Sequence, residues 1–288
     1  MRRLALLAVL AVSCGALPAH AQALTLAYRS GDTYKYVFHL SSKRTIIAAG
    51  VTIPIEMDIT TNESVKVKSV DKAGTADLTI TLAGFVMGST TGGVTSTTTG
   101  LPPTTIDVVV AVDGQIVSMG GNPYVGSNPF LAFSSMGGGF FVTAVLPDND
   151  VKPGDTWSKT YDQAMPQESG GVHVTSTSRY LRDESFNGVN AAVVETTSHG
   201  TTDIRYGAGS LSSPQPGGVT MAMSIKGTEV AEVTSWIDPT RHRVLKTHMT
   251  ETDAGTMDLQ MATGSSPIPG FSGPMSLKGT TTTDLSPA

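Results

Sequence analysis

Alternation of apolar and polar residues is the main pattern along this chain, and it predicts β-strands. Apolar side chains occupy every second position in residues 34–40, 65–67 and 78–82. Successive side chains of a strand point to opposite faces, so each run offers one face to a core and the other to water. Many threonines occur in and around these runs, and a β-branched side chain suits a strand. The pattern therefore predicts an all-β fold.

Turn sequences separate several of these runs and predict four hairpins. They are Asp71–Gly74, Asp113-Gly114, Asn187-Gly188 and Asp238-Pro239-Thr240. Asp-Gly and Asn-Gly can adopt the positive φ angles of a type I′ turn, and proline presets φ for a turn. Four hairpins in one chain favour an antiparallel sheet.

One short phrase occurs twice, as GDTY at residues 31–34 and GDTW at residues 154–157. In each copy we expect Gly and Asp to form a turn, and Tyr34 or Trp157 to begin a strand. Asp32 and Asp155 are expected to hydrogen-bond nearby backbone and to have no catalytic role. A similar order of hairpins follows each phrase, which favours an internal repeat.

These observations predict two similar antiparallel units that form a long curved sheet or a pair of half-barrels. Residues 22–125 would be the first unit, and residues 151–288 the second. Between them, residues 126–150 are apolar without clean alternation, so we expect a short helical or irregular linker that plugs the space between the sheet halves.

The first residues, MRRLALLAVLAVSCGALPAHAQA, have the features of a secretory signal peptide. Arg2 and Arg3 precede a short apolar stretch, and small residues at Ala19, Ala21 and Ala23 suit cleavage after residue 21 or 23. Residues 1–21 are thus predicted to be removed on export to the periplasm or the medium. Cys14 leaves an alternative open, in which a lipobox-like sequence makes the chain a lipid-anchored protein.

Composition narrows the classes of partner. The formal net charge is −5, and the acidic excess lies in the second half. Nucleic-acid binding needs clustered Lys and Arg, which the chain lacks. No later segment has the ~20 apolar residues of a membrane-spanning helix. Cleavage would remove Cys14, the one cysteine, so core burial would have to stabilise the fold.

Two longer stretches, LPDNDVKPGDTW at residues 146–157 and VKVKSVDKAGTADLTITL at residues 65–82, accompany the paired phrases. Together they resemble a family of exported bacterial β-rich proteins of unknown function with paired Gly-Asp-Thr-Tyr/Trp motifs. The resemblance covers most of the chain after the signal peptide. It rests on turns and strands, so it implies a shared scaffold and no catalytic residues.

No catalytic or metal motif emerges from the sequence. There is no Gly-x-Ser-x-Gly elbow, no His-x-His and no His-Glu-x-x-His. Asp148, Asn149, Asp150 and Asp155 lie close in sequence but lack EF-hand spacing. We therefore predict no enzyme activity, no metal and no cofactor.

Apolar ligand binding is the leading functional hypothesis. Methionine adapts to irregular apolar partners, and a tryptophan can line a sugar or lipid site. A core role would explain the same residues equally well. Two alternatives stay open: a structural or protein-interaction module of the envelope, and, less favoured, a hydrolase with a site built from loops. The candidate ligand-binding residues are Trp157, Trp236, Met221, Met223, Met257 and Met261.

Overall fold

A computed structural model shows an all-β protein. It describes residues 21–120, 143–164, 169–206, 219–263, 266–267 and 273–288. Strands make up 77% of it, and no helix occurs among the described residues. The thirteen strands are β1 (Thr33–Ala48), β2 (Val51–Val70), β3 (Ala76–Thr91), β4 (Val94–Thr99), β5 (Thr104–Val110), β6 (Ile116–Gly120), β7 (Thr156–Ala164), β8 (Ser169–Phe186), β9 (Val189–Tyr206), β10 (Val219–Asp238), β11 (Arg243–Thr263), β12 (Ser266–Pro267) and β13 (Gly273–Pro287).

All strands belong to one antiparallel sheet, with the order β6-β5-β3-β2-β1-β13-β11-β10-β9-β8-β7. Short β4 and β12 pair with β3 and β11 beside this path. Most neighbours are joined by hairpins, and the pairing of β1 with β13 connects the two halves of the chain. The sheet is not closed into a barrel, so the prediction of an all-β curved sheet is confirmed.

Both copies of the Gly-Asp-Thr phrase form the same turn. Gly31 N donates to Val67 O, and Val67 N donates to Asp32 O. Gly154 and Asp155 make the equivalent pair of bonds with Tyr180. Gly31 and Gly154 have φ of 93° and 100°, which glycine adopts without strain. Each phrase thus ties the start of one strand to the end of the next one along the chain.

The two Asp side chains of the phrases behave differently. Asp155 Oδ2 accepts a hydrogen bond from Lys152 N at 2.9 Å, as predicted. Asp32 Oδ2 instead accepts one from the Tyr34 hydroxyl at 3.1 Å. Asp32 also bonds nearby backbone, since its N donates to Arg29 O at 3.1 Å.

All four predicted hairpins are present, although one turn has a different type. Asn187 and Gly188 have φ of 49° and 77°, as a type I′ turn requires. Gly114 has a φ of 87°, but Asp113 is not left-handed, and Asp113 Oδ1 accepts from Gln115 N. The Asp113-Gly114 turn is therefore not type I′, because it spans residues 111–115 with only one left-handed residue.

The main core lies on one face of the sheet, which we call the inner face. It combines apolar residues of strands far apart in the sheet order, such as Val110 of β5 and Tyr180 of β8. A single cluster can reach both only because the sheet curves around this face. Ile204 belongs to a second cluster, and the other largest fully buried side chains belong to this core: Tyr180, Phe38, Leu24, Leu26, Leu40, Ile59, Leu78, Ile80, Leu82, Ile106 and Leu146.

Two extended segments cross the inner face near one end. In the first, Leu26 N donates to Val112 O and Ala27 N donates to His242 O. In the second, Ala144 N donates to Ser235 Oγ and Leu146 N donates to Asp113 O. We call this end of the inner face the base. The second segment includes the described part of the predicted linker, and residues 126–142 of the linker lie outside the described residues.

Nearly all of the predicted signal peptide, with Cys14, also lies outside the described residues. Within the described part of the chain, no helix is long and apolar enough to cross a membrane.

Candidate functional site

A row of directly paired residues crosses the inner face above the base and contains four charged or phenolic side chains. Each member is the cross-strand partner of the next, from β2 to β7. The row is Ile55, Arg44, Gly279, Asp253, Glu229, Gly200, Val174 and Tyr161.

Two glycines of this row make room for its longest charged side chains. A Cβ at Gly279 would lie 2.4 Å from Arg44 Cγ, and one at Gly200 would lie 2.5 Å from Glu229 Cγ. Arg44 and Glu229 therefore lie across the glycine backbone of the neighbouring strand. Any larger residue at these two positions would push the charged groups out of place.

Arg44 is held between three strands. Its Nε donates to Ser42 Oγ at 3.1 Å and its Nη2 donates to Thr281 Oγ1 at 3.2 Å. Arg44 Nη2 also lies 3.0 Å from Asp253 Oδ1 and 3.9 Å from Glu251 Oε1. The shorter contact is an ion pair without hydrogen-bond alignment, since both Asp253 oxygens lack a hydrogen-bond partner. The Arg44 guanidinium thus lies near the carboxylates of Glu251 and Asp253, but its hydrogen bonds go to the hydroxyls of Ser42 and Thr281.

A third carboxylate completes the group. Glu229 stands directly opposite Asp253 on the neighbouring strand, an arrangement of like charges that destabilises a sheet. Burial, followed by repulsion from Glu251 and Asp253, raises the pKa of Glu229 to about 7. Burial also raises the pKa of Glu251, and Arg44 offsets part of that effect. Both shifts favour the protonated, neutral carboxyl, so the negative charge of the pocket grows as pH rises above about 7.

A small cleft lies at these carboxylates, and we call it the acidic pocket. Its free volume is about 50 Å³. Its floor contains a facing glycine pair, Gly227 of β10 and Gly255 of β11. A Cβ on Gly255 would lie 2.5 Å from Lys226 O, so the strands approach too closely for any side chain. The lining residues are Arg44, Thr202, Ile225, Gly227, Thr228, Glu229, Glu251, Asp253, Ala254, Gly255 and Leu277.

An apolar cluster borders the acidic pocket on the side away from the base. It is separate from the main core and lies on β8 to β11 and β13. We call it the methionine cluster. Its buried members are Val172, Val174, Ile204, Met223, Ile225, Met257 and Leu277, with Tyr161, Leu259 and Met275 packed against them.

On the base side, buried hydroxyls separate the acidic pocket from the main core. Ser42 Oγ lies 3.0 Å from Thr281 Oγ1, and Ser178 Oγ lies 2.7 Å from Thr196 Oγ1. The inner face therefore changes along its strands from apolar core to hydroxyls, then to charge, and then to the methionine cluster.

The structure brings together the predicted methionines and separates the two tryptophans. Met223 and Met257 are buried members of the methionine cluster. Met221 and Met261 are paired in backbone register on the same two strands, and their side chains are outside the described part.

Trp157 packs against the main core, and its Nε1 donates to Val145 O at 2.9 Å. The position of Trp157 thus fixes the segment that crosses the base. Trp236 lies on the outer face, where its Nε1 donates to Glu184 Oε1 and Lys246 Nζ lies 4.7 Å from its ring centroid. Neither tryptophan lines the acidic pocket.

A larger cleft of about 600 Å³ lies outside the second Gly-Asp-Thr turn, beside Trp157. Its charged residues already have partners: Lys159 Nζ lies 2.7 Å from Asp148 Oδ1 and 2.6 Å from Oδ2 of nearby Asp113, and Asp155 Oδ2 accepts from Lys152 N. Because these groups satisfy one another, we favour the smaller acidic pocket as the candidate site. No group of three or more His, Cys, Asp or Glu residues in the described ranges could hold a metal ion.

Sequence reasoning missed the acidic pocket, although a signal for it exists. Glu229 has the same strand parity as Met223 and Ile225, and Asp253 has the same parity as Met257. Acidic residues on the apolar face of a strand, next to interior glycines, indicate a buried polar site or a close backbone approach.

Comparison with known proteins identifies no family for this chain. The chain matches no protein-family model, and no curated protein matches it. Among solved structures, one match is DynF from the dynemicin biosynthesis pathway of Micromonospora chersina. The match has 9% identity and a TM-score of 0.22, and covers 100% of this chain and 92% of that one. A TM-score this low carries no argument about fold or function.

Proposed function

We propose that this chain is an exported, non-enzymatic protein of the cell envelope that binds a lipid or another apolar ligand on its inner face. The observation that carries the proposal is the methionine cluster, a second apolar group apart from the main core. Methionine is unbranched and polarisable, so methionine-rich surfaces adapt to ligands of irregular shape.

The position of the methionine cluster supports the proposal. Met223, Met257 and Met275 lie on three neighbouring strands, and Ile225 and Leu277 of the same cluster line the acidic pocket. An apolar ligand on this cluster would have one end beside polar groups and the rest against methionine and leucine side chains. Such a mixture of an apolar wall with a few polar groups is typical of small-molecule sites.

Binding of the neutral apolar dye N-phenyl-1-naphthylamine to the detergent-free mature protein tests the proposal. We expect dye fluorescence to rise on binding, and Met257→Gln to weaken dye affinity about tenfold, since a buried apolar contact is worth about 1.5 kcal/mol. Val230→Gln is the matched control, because Val230 is exposed on the opposite face of β10. The proposal would be contradicted if dye fluorescence did not rise with the wild-type protein. Equal dye affinity of Met257→Gln and Val230→Gln would also contradict it.

A protein-interaction module is the alternative, and one feature favours it. β7 pairs with β8 alone among the described strands, so its other backbone edge has no hydrogen-bonded strand there, although Lys159 on β7 pairs with Asp113. A free edge can accept an extended strand of another protein. Crosslinking of a photoreactive group at Ser158 to envelope proteins, in a mature protein that carries no extractable apolar molecule, would favour this alternative.

A further inference from the structure

The acidic pocket contains more hydrogen-bond acceptors than donors. Glu229, Glu251 and Asp253 supply six carboxylate oxygens, whereas Arg44 is the one cation among the residues that line the pocket. Arg44 hydrogen-bonds to Ser42 and Thr281. An ionised carboxylate can only accept hydrogen bonds. Above the Glu229 pKa of about 7 the pocket therefore offers acceptors to a donor-bearing guest.

Asp253 and Glu251 are mostly buried, and Arg44 Nη2 forms an ion-pair contact of 3.0 Å with Asp253 Oδ1. Both Asp253 oxygens are shielded from solvent and lack a hydrogen-bond partner. Glu251 is only 7% exposed, and the guanidinium beside it is 3.9 Å away, too far for a hydrogen bond. Leaving buried acceptors unpaired costs free energy, which a bound donor would recover.

The shape of the pocket independently favours a compact guest. Gly227 and Gly255 face each other on its floor, and the free volume of about 50 Å³ suits a group of a few heavy atoms. The methionine cluster begins at Ile225 and Leu277, which line the same pocket. A ligand with a small polar end and an apolar remainder fits both surfaces at once.

We infer that the acidic pocket binds the cationic end, an ammonium or guanidinium group, of an amphiphilic ligand whose apolar part lies on the methionine cluster. This inference rests on the proposed function, because it assigns the apolar part to the same surface. An ammonium donates three hydrogen bonds and a guanidinium five, and neither accepts any, which complements the acceptor excess. A carboxylate-bearing ligand would add a fourth acid and meet repulsion.

The probes are octylamine, octanol and octanoate, which share one chain and differ in the charge of the head group. Calorimetric titration of the mature protein at about pH 8, where Glu229 is mostly ionised and an alkylamine is still protonated, should give the tightest binding for octylamine. Octanoate should bind at least about tenfold more weakly. Equal affinity for octylamine and octanol, or tighter binding of octanoate, would overturn the inference.

Three isosteric variants localise the effect. Asp253→Asn and Glu229→Gln should each weaken octylamine about tenfold or more, because each removes one charged acceptor. Glu232→Gln, on the exposed outer face of β10, should leave octylamine affinity unchanged. Equal octylamine affinity in all three variants would overturn the inference.

The naphthylamine dye separates this inference from the proposed function. Asp253→Asn should keep its dye affinity while losing octylamine affinity. If the wild-type protein binds octylamine but not the dye, the proposed apolar ligand surface is contradicted. The acidic pocket would then still be a site for cationic groups.

Discussion

At the scale of single residues, the inner face contains acids in surroundings that disfavour their charge. Glu63 on β2 is 1% exposed, and neither of its oxygens has a hydrogen-bond partner. It stands directly between Tyr36 of β1 and Leu82 of β3 in register. Burial raises the pKa of Glu63 to about 8. Glu63 is therefore mostly protonated in the folded protein at neutral pH.

The raised pKa of Glu63 gives a stability prediction with a defined sign. The folded state keeps a proton that the unfolded chain loses above about pH 4.5, so the contribution of Glu63 to stability declines as pH rises toward about 8. Glu63→Gln should remove that decline. We expect similar free energies of unfolding for the two proteins at about pH 4, and a gain for Glu63→Gln on the order of a few kcal/mol at about pH 8.

Urea denaturation at the two pH values measures this difference. Glu56→Gln is the control, since Glu56 is exposed on the other face of the same strand and its contact with Lys43 is a surface pair. A Glu63→Gln protein less stable than wild type at about pH 8 would show that the carboxylate is ionised and paired in the fold.

At the scale of secondary-structure elements, local sequence explains one hairpin turn, and another turn depends on tertiary contacts. The turn at Asn187-Gly188 follows from its two residues, which both accept positive φ. The turn at Asp113 does not, because Asp113 O accepts from Leu146 N and its side chain pairs with Lys159. The Asp113-Gly114 turn is therefore not the type I′ turn that its two residues predict, and Leu146 and Lys159, distant in sequence, contact it.

The paired glycines of β10 and β11 give an element-scale prediction. A Cβ at Gly255 would meet Lys226 O at 2.5 Å and Gly227 Cα at 3.0 Å, so the backbone of one strand must move. Gly255→Ala should lower the free energy of unfolding by about 1–3 kcal/mol, the usual cost of overpacking, and should also weaken octylamine binding.

Gly88→Ala on β3 is the matched control, because an added Cβ there meets nothing within 4 Å. It should be neutral or slightly stabilising, since alanine in a strand costs less conformational entropy than glycine. Equal urea midpoints for Gly255→Ala and Gly88→Ala would contradict the close approach of β10 and β11.

At the scale of the whole molecule, the last strand joins the two halves of the sheet. β13 pairs with β1 of the first half and β11 of the second, and its Leu285 belongs to the main core. The N-terminal segment through Leu26 and the segment through Leu146 also enter that core. The described residues of both predicted units, 22–125 and 151–288, therefore contribute to one shared core.

Deleting residues 274–288 tests this interdependence. We expect the truncated protein to lose cooperative unfolding in both halves and to aggregate, because β1 and β11 would become exposed edges. Limited proteolysis and circular dichroism would detect the loss. Truncation after Ser286 removes only the last two residues and should leave a folded protein. A stable proteolytic fragment covering residues 22–125 in the longer deletion would instead indicate independent domains.

The sequence alone determined the alternating strands at residues 34–40, 65–67 and 78–82, the four hairpins and the two Gly-Asp-Thr turns, because alternation and turn chemistry act between residues close in the chain. It placed Met223 and Met257 on apolar strand faces for the same reason. Only the tertiary structure decided that β13 lies beside β1, that Trp236 faces outward while Trp157 packs on the core, and that Arg44 lies in one pocket with Glu229, Glu251 and Asp253. The acidic pocket depends on register between strands about 200 residues apart in sequence, a relation that no local pattern encodes.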